Sequence, residues 1–368
     1  MLRGLFTLLL SLSVSIIKAQ VVGGEHVFEF LRISNSPHMT ALGGASVVNP
    51  TPDLMMSRAN PALLRPEFHS QLGLTYNAYY AGAKMSQFLY AFHFDKINTD
   101  WSFGIQSINY GKFNRTDLLG NSQGDFQASD LLIHTTFARQ YLQRWRYGAT
   151  IKYAVSQLID KRSSALLVDL GLVYADTANG WYLGSVFKNA GVHLKHFDPS
   201  KPSPLPYDLQ IGMVKRFKKA PFSLSALAYH LYKWDIRYDN PMDRVSNNLF
   251  AEENTNDNSS YFADKLFRHF VFALDMRIGK RIELSAGYNH LRRSELALQE
   301  QKGMSGFSLG VGLYLNKYNI HFARSYYHIT GPVNEIGLTL NTCQLFGIGV
   351  GKGDTKINWS EKYGNLYQ

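Results

Sequence analysis

The stretch 306–315 reads GFSLGVGLYL. Large apolar residues take alternate positions, Phe307, Leu309, Val311, Leu313 and Leu315, with Ser308, Gly310, Gly312 and Tyr314 between them. A period of two predicts a β-strand with one oily face and one small or polar face. The same design recurs along the chain. Alternation predicts strands over 71–80, 87–94, 101–109, 130–138, 145–157, 164–174 and 181–188. It continues over 207–217, 222–232, 266–278, 281–291, 306–315, 319–327 and 334–340. The total is about 14, an even number, as in bacterial outer-membrane barrels.

Charges fall on the face away from the oily rows. Asp169 opposes Leu166, Val168, Leu170 and Leu172; Asp275 and Arg277 oppose Phe272, Leu274 and Met276. Glu283 opposes Ile282 and Leu284, and Lys152 opposes Ile151 and Tyr153. A Lys or Arg facing the middle of a bilayer costs about 2–4 kcal/mol. The expectation is therefore a barrel with its oily belt in lipid and Lys152, Asp169, Asp275, Arg277 and Glu283 facing the lumen. Arg324 breaks the pattern, because it shares a face with Ile320, Phe322 and Tyr326. A bulge, a pairing with a neighbour or a reach to the outer rim would accommodate it.

The connections sort by parity. Even-numbered ones are all short, and the long ones, 110–129, 189–206, 233–265 and 292–305, are all odd. An up-and-down barrel places odd and even connections at opposite rims, with short turns in the periplasm and longer loops outside. The segment 239–264 reads as a long exposed loop rich in Asn and Asp, and 197–208 with its four prolines as an extended, stiff one.

Composition narrows the class. Residues 1–19 have a basic start at Arg3 and a short apolar core, which predicts a cleaved signal peptide rather than a membrane anchor. No later apolar run is long enough for a membrane helix, so an exported chain is either soluble or a β-barrel. The single cysteine, Cys343, excludes an internal disulfide framework and a cysteine-rich metal site. Aromatic residues make up 14% of the chain, and Tyr and Trp suit membrane interfaces. The formal charge of +10 shows no basic stripe interleaved with aromatics, so nucleic acid is not expected as a partner. Lys218, Lys219, Lys280 and Arg281 form a basic set on the short turns, suited either to anionic head groups or simply to water.

Residues 20–70 lack sustained alternation. Ala41 to Ala45 predicts a tight backbone turn through Gly43 and Gly44. Thr51 is expected to cap a short helix with Pro52 at its first position, and Asn60-Pro61 to end it. The segment is too short for a domain and is expected to plug the lumen, a loose periplasmic arm being the alternative. Here a specific resemblance enters. The run 36–64, SPHMTALGGASVVNPTPDLMMSRANPALL, resembles the amino-terminal hatch signature of FadL-type outer-membrane barrels. Within that superfamily, 23–46 is similar to the start of the PorQ family of the type IX secretion system of Bacteroidetes. The matching positions are Gly23, Gly24, Glu25, Phe28, Phe30, Leu31, Arg32, Gly43, Gly44, Asn60 and Pro61. Over the barrel the resemblance is architectural only and is shared with PorV and the FadL transporters.

The resemblance implies a FadL-like barrel over 71–341, a hatch over 20–70 and a periplasmic tail over 342–368. It also implies a non-catalytic, cofactor-free role in the outer membrane of a Gram-negative bacterium. That role is to anchor a PorZ-like surface protein beside the PorU/PorV attachment complex. Contact with such a partner is expected on the outer loops, with Trp234, Tyr238 and Phe250 as aromatic anchors. The alternative implied by the same superfamily is a transporter of hydrophobic small molecules. Other chemistry is weakly signalled. His193 and His196 lack a third metal ligand in sequence, the Ser185–Lys188 spacing lacks companion motifs, and the glycines of 347–353 lack the Walker spacing.

Overall fold

The computed structural model describes residues 26–236, 258–295, 303–328 and 331–347. The expected signal peptide, Gly23, Gly24, Glu25, Tyr238, Phe250 and the residues after Gly347 lie outside the described residues. Fourteen strands follow one another: β1 (Gln71–Ala78), β2 (Lys84–Phe94), β3 (Thr99–Thr116), β4 (Ser122–Tyr141), β5 (Trp145–Leu158), β6 (Lys161–Asp176) and β7 (Trp181–Lys195). Then come β8 (Asp208–Arg216), β9 (Phe222–Ala228), β10 (Phe270–Ile278), β11 (Ile282–Asn289), β12 (Phe307–Tyr314), β13 (Tyr318–His328) and β14 (Gly331–Asn341). Each pairs antiparallel with its chain neighbours, and β1 pairs with β14 from Gln71↔Asn341 to Ala78↔Asn334. Closure leaves no strand edge without a partner, the condition a sheet must meet in hydrocarbon.

The alternation decides which way each face points. In β12, Phe307, Leu309 and Val311 are exposed while Ser308 is buried. In β6, Leu166, Leu170 and Leu172 are exposed while Leu167 and Asp169 are buried. So many outward Leu, Ile and Phe side chains could not stay dispersed in water, and they form the belt that meets lipid. Aromatic pairs flank the belt near the short turns, with Trp145 against Tyr174 at 4.9 Å and Phe94 against Trp101 at 6.1 Å between ring centroids. Lys215 lies over the Trp181 ring at 4.4 Å, and its ammonium donates to Asn179 O at 2.8 Å in the adjoining turn. Among the described residues, no helix is long and apolar enough to cross a membrane.

Several boundaries differ from the sequence expectation, each for a physical reason. The connection expected over 110–129 is mostly hairpin: β3 and β4 run on to Thr116 and Ser122, beyond a register shift after Asn109. β7 likewise runs to Lys195. The β3 and β4 extensions carry polar residues on both faces, so alternation has no contrast there. The β7 extension follows a register shift against β6 between Val168 and Leu170, which breaks its parity with the rest of the strand. Residues 229–232 and 266–269 are not strand; helix α2 (Asn258–Phe267) occupies part of the second stretch. The cap expected at Thr51 is Asp53, whose carboxylate accepts from the Met55 N–H and starts a 3-10 turn over Leu54–Arg58. Thr51 is instead an Asx-type acceptor's partner, its N–H donating to Asn49 Oδ1 at 2.8 Å. Arg324 faces outward just before a register irregularity in β13 between Ser325 and His328, with its guanidinium over the Tyr326 ring at 5.6 Å.

Outward orientation predicts a simple asymmetry. Leu170→Arg, in the middle of the belt, should cost the barrel about 2–4 kcal/mol in reversible urea unfolding from lipid vesicles. Leu118→Arg, at the fully exposed tip of the β3–β4 hairpin, should leave the unfolding midpoint unchanged.

Candidate functional site in the barrel lumen

The inward face of the barrel is occupied by the chain's own amino-terminal segment. Helix α1 (Pro37–Ala41) is capped by Ser36, whose hydroxyl accepts from the Met39 N–H at 3.0 Å, and Pro37 takes the first position. It packs against β11, β12, β13 and β14. The turn Pro61–Leu63, capped by the Asn60 side chain, packs against β4, β5 and β6 on the other side. Gly43 (φ 91) and Gly44 (φ 86) carry the chain between them through the left-handed region. Gly44 is needed twice over, because the Arg292 guanidinium lies where its side chain would be.

Contact between segment and wall is close at the wall's inward glycines. A Cβ on Gly148 would meet the Pro61 carbonyl, one on Gly171 the Asn60 and Pro61 side chains, and one on Gly184 the Val47 carbonyl. One on Gly287 would meet the chain from Ala41 to Gly43, and one on Gly337 the Pro37 ring. Asn60 joins the two layers, its amide donating to Val47 O at 2.8 Å and to Ser185 O of β7 at 3.2 Å. Arg146 of β5 donates to Leu64 O and to Asp100 of β3, each at 2.5 Å.

The sequence-predicted charges fall into two groups on this inward side. Lys152 and Asp169 meet as an ion pair at 2.5 Å, both almost completely buried. Lys152 also donates to Asn189 Oδ1, and the Asn189 N–H donates to Asp169 Oδ1, each at 2.8 Å. Asp275, Arg277 and Glu283 lie toward the 279–281 turn. Arg277 Nε donates to Glu283 Oε2 at 2.9 Å, and the Ser285 hydroxyl to Asp275 Oδ1 at 2.6 Å. Asp275 and Glu283 are buried, whereas the Arg277 side chain is about one-third exposed. The segment adds buried charges that period-two reading had no means to find, since they sit outside any alternating run. His38 and Asp53 join the second group, and Arg58 donates to Gln106 Oε1 at 2.6 Å.

On the long-connection side the segment and wall leave a cavity of about 170 Å³. Its lining joins Leu31, Ile33 and Met39 to Arg58, Lys188 and Arg292. Asp208 is the acid of this wall, accepting from the His230 N–H at 2.8 Å and from Gln210 Nε2 at 2.7 Å. At the rim above it, Trp234 is about half exposed and stacks on His269 at 5.8 Å, with Phe262 at 5.6 Å. Burial raises the Asp264 carboxyl there, but hydrogen bonds and charge from Arg268 and His290 outweigh it and leave it below its usual value. The His193 and His196 rings lie 4.3 Å apart between centroids, tilted by 32°, and no carboxylate or cysteine joins them as a further ligand among the described residues.

The fold is similar to several solved outer-membrane channels. These include the CymD monoaromatic hydrocarbon channel (12% identity, TM-score 0.49, covering 84% of this chain and 98% of that one). The TodX channel with S2 and S3 deleted is another (14%, TM-score 0.46, 83% and 97%). A third is a FadL homologue from Pseudomonas aeruginosa (11%, TM-score 0.43, 83% and 98%). Identities and scores this low say nothing about cargo. No protein-family model matches the chain, and no curated protein matches it.

Two consequences can be measured. Gly171→Leu should force the Asn60-Pro61 turn off the wall, costing about 1–3 kcal/mol of stability and exposing 26–70 to protease in intact proteoliposomes. Asp169→Asn should cost about 3–5 kcal/mol by leaving the Lys152 ammonium without its counter-charge. The double change Lys152→Met with Asp169→Leu should recover most of that loss in chemical denaturation.

Proposed function

We propose that this chain is a non-catalytic outer-membrane barrel of the FadL type, shut by its amino-terminal segment. In this reading it takes up a small amphiphilic molecule in the cavity beside that segment. The observation that carries the reading is the cavity's lining, apolar at Leu31, Ile33 and Met39 and cationic at Arg58, Lys188 and Arg292. An apolar body with an anionic head suits such a wall; a wholly hydrophobic cargo, the alternative that the resemblance implied, would strand the cations. At about 170 Å³ the space holds a head group rather than a whole ligand, since drug-sized pockets run to roughly 300–1,000 Å³. Onward passage requires the segment to move, because the inward glycines of the wall touch its backbone.

A second reading is favoured by the amino-terminal signature, whose described positions Phe28, Phe30 and Leu31 are buried in one apolar cluster with Leu132 and Leu167. In it the barrel is a platform of the type IX secretion machinery, holding a PorZ-like surface protein beside the PorU/PorV complex. The rim around Trp234 is then the docking surface. This reading rests on sequence resemblance alone, whereas the carrier rests on the lining of the cavity.

Calorimetric titration of the purified barrel separates the two. A twelve-carbon carboxylate should bind at least about tenfold more tightly than its methyl ester, a difference of about 1.4 kcal/mol. Lys188→Gln with Arg292→Gln should erase that preference. No binding of either, together with a large surface protein co-purifying from detergent extracts and lost on Trp234→Ala, would replace the carrier by the platform.

A further inference from the structure

We propose that His38, Asp275 and Glu283 bind one divalent transition-metal cation that clasps the amino-terminal segment to the barrel wall. The three residues come from α1, β10 and β11, and all are buried. His38 Nε2 lies 3.5 Å from Asp275 Oδ1 and 3.2 Å from Glu283 Oε1, yet it makes no hydrogen bond. A charge-assisted hydrogen bond would draw these atoms to about 2.7–2.9 Å. The spacing also matches that of ligands around a shared ion. Tetrahedral bonds of about 2.0–2.1 Å set neighbouring donors about 3.3 Å apart.

The surroundings hold the donors in place. Ser285 donates to Asp275, while Thr51 and Arg277 donate to Glu283 Oε2 and the Tyr314 hydroxyl donates to Oε1. On the far side of the imidazole, Nδ1 has Asn49 Nδ2 at 3.2 Å and Asp53 Oδ2 at 3.7 Å. With a metal on Nε2 the proton sits on Nδ1, and Asp53 becomes its acceptor in place of the Asn49 contact. His321 is close by, within 4.8 Å of His38 and Asp53 by ligand atoms, and its Nε2 is buried with no hydrogen bond. Charge agrees: Asp53, Asp275 and Glu283 converge on His38, and Arg277 pairs with Glu283, so a divalent ion offsets the remaining negative charge when the imidazoles are neutral. Mixed imidazole and carboxylate donors favour zinc-like ions over calcium or magnesium, which take oxygen alone. A proton on His38 is the competing way to balance the same carboxylates.

The test uses the full chain purified from membranes in detergent without chelator, and it is independent of any cargo. Elemental analysis should find one equivalent of metal. After refolding in chelator, added Co²⁺ should give the visible ligand-field band of a four-coordinate site, saturating at one equivalent. Asp275→Asn, Glu283→Gln and His38→Ala should each abolish the band, whereas His193→Ala with His196→Ala should keep it. The isosteric Asp and Glu variants guard against misfolding, which the heat-dependent gel shift of a folded barrel reports. Wild-type protein with neither metal nor saturable Co²⁺ uptake would overturn the clasp in favour of the proton. Uptake unchanged in Asp275→Asn and Glu283→Gln would overturn it as well.

Discussion

Charged side chains enclosed by a sheet must find their partners inside it. Lipid forbids them the outside of this barrel, and closure of β1 on β14 denies them an edge. Water-filled channels solve the problem with solvent. Here much of the solution is the chain itself. Residues 26–70 bring Arg58, His38, Asp53 and a row of backbone carbonyls into the lumen, where the wall offers Gln106, Glu283, Asp275 and Arg146. The exchange is dense because the wall carries glycine where the segment approaches, at Gly148, Gly171, Gly184, Gly287 and Gly337.

That packing divides the lumen in two. Toward the short turns it is tightly filled, with apolar residues such as Val48, Met56, Val173 and Tyr182 packed together and carboxylates converging on one imidazole. Toward the long connections it opens into a small chamber whose cations are less fully paired within the wall. A molecule arriving from the long-connection side therefore meets the chamber's cations, with Asp208 among them, before the carboxylates around His38. Both the carrier and the clasp follow from this polarity, the first through the chamber and the second through the anchorage that keeps the chamber's floor in place.

Much of the wall was legible from period-two alternation, because each strand has lipid on one face and a polar lumen on the other. Leu170 and Asp169 are adjacent and could face only opposite ways. Legibility failed where that contrast fails. The β3–β4 extension is polar on both faces, and residues 266–269 are apolar enough to mimic a strand but are partly helix. Thr51-Pro52 looked like a helix start, yet the Asp53 carboxylate, with the better-placed acceptor, took the Met55 N–H. Arg324 broke the pattern in sequence, and its contact with Tyr326 beside a register irregularity became visible only in space.

The sequence by itself determined that the chain makes a closed antiparallel barrel, which face of each strand meets lipid, and that Lys152, Asp169, Asp275 and Glu283 lie on the other. Those are one-dimensional properties, set by the sign of each residue's transfer free energy and its parity along a strand. Only the tertiary structure decided that Lys152 pairs with Asp169, that Arg292 fills the space above Gly44, and that His38 meets two carboxylates from different strands. Such meetings depend on how the amino-terminal segment threads the lumen. Its path is fixed by backbone contacts with scattered glycines, which leave no periodic trace.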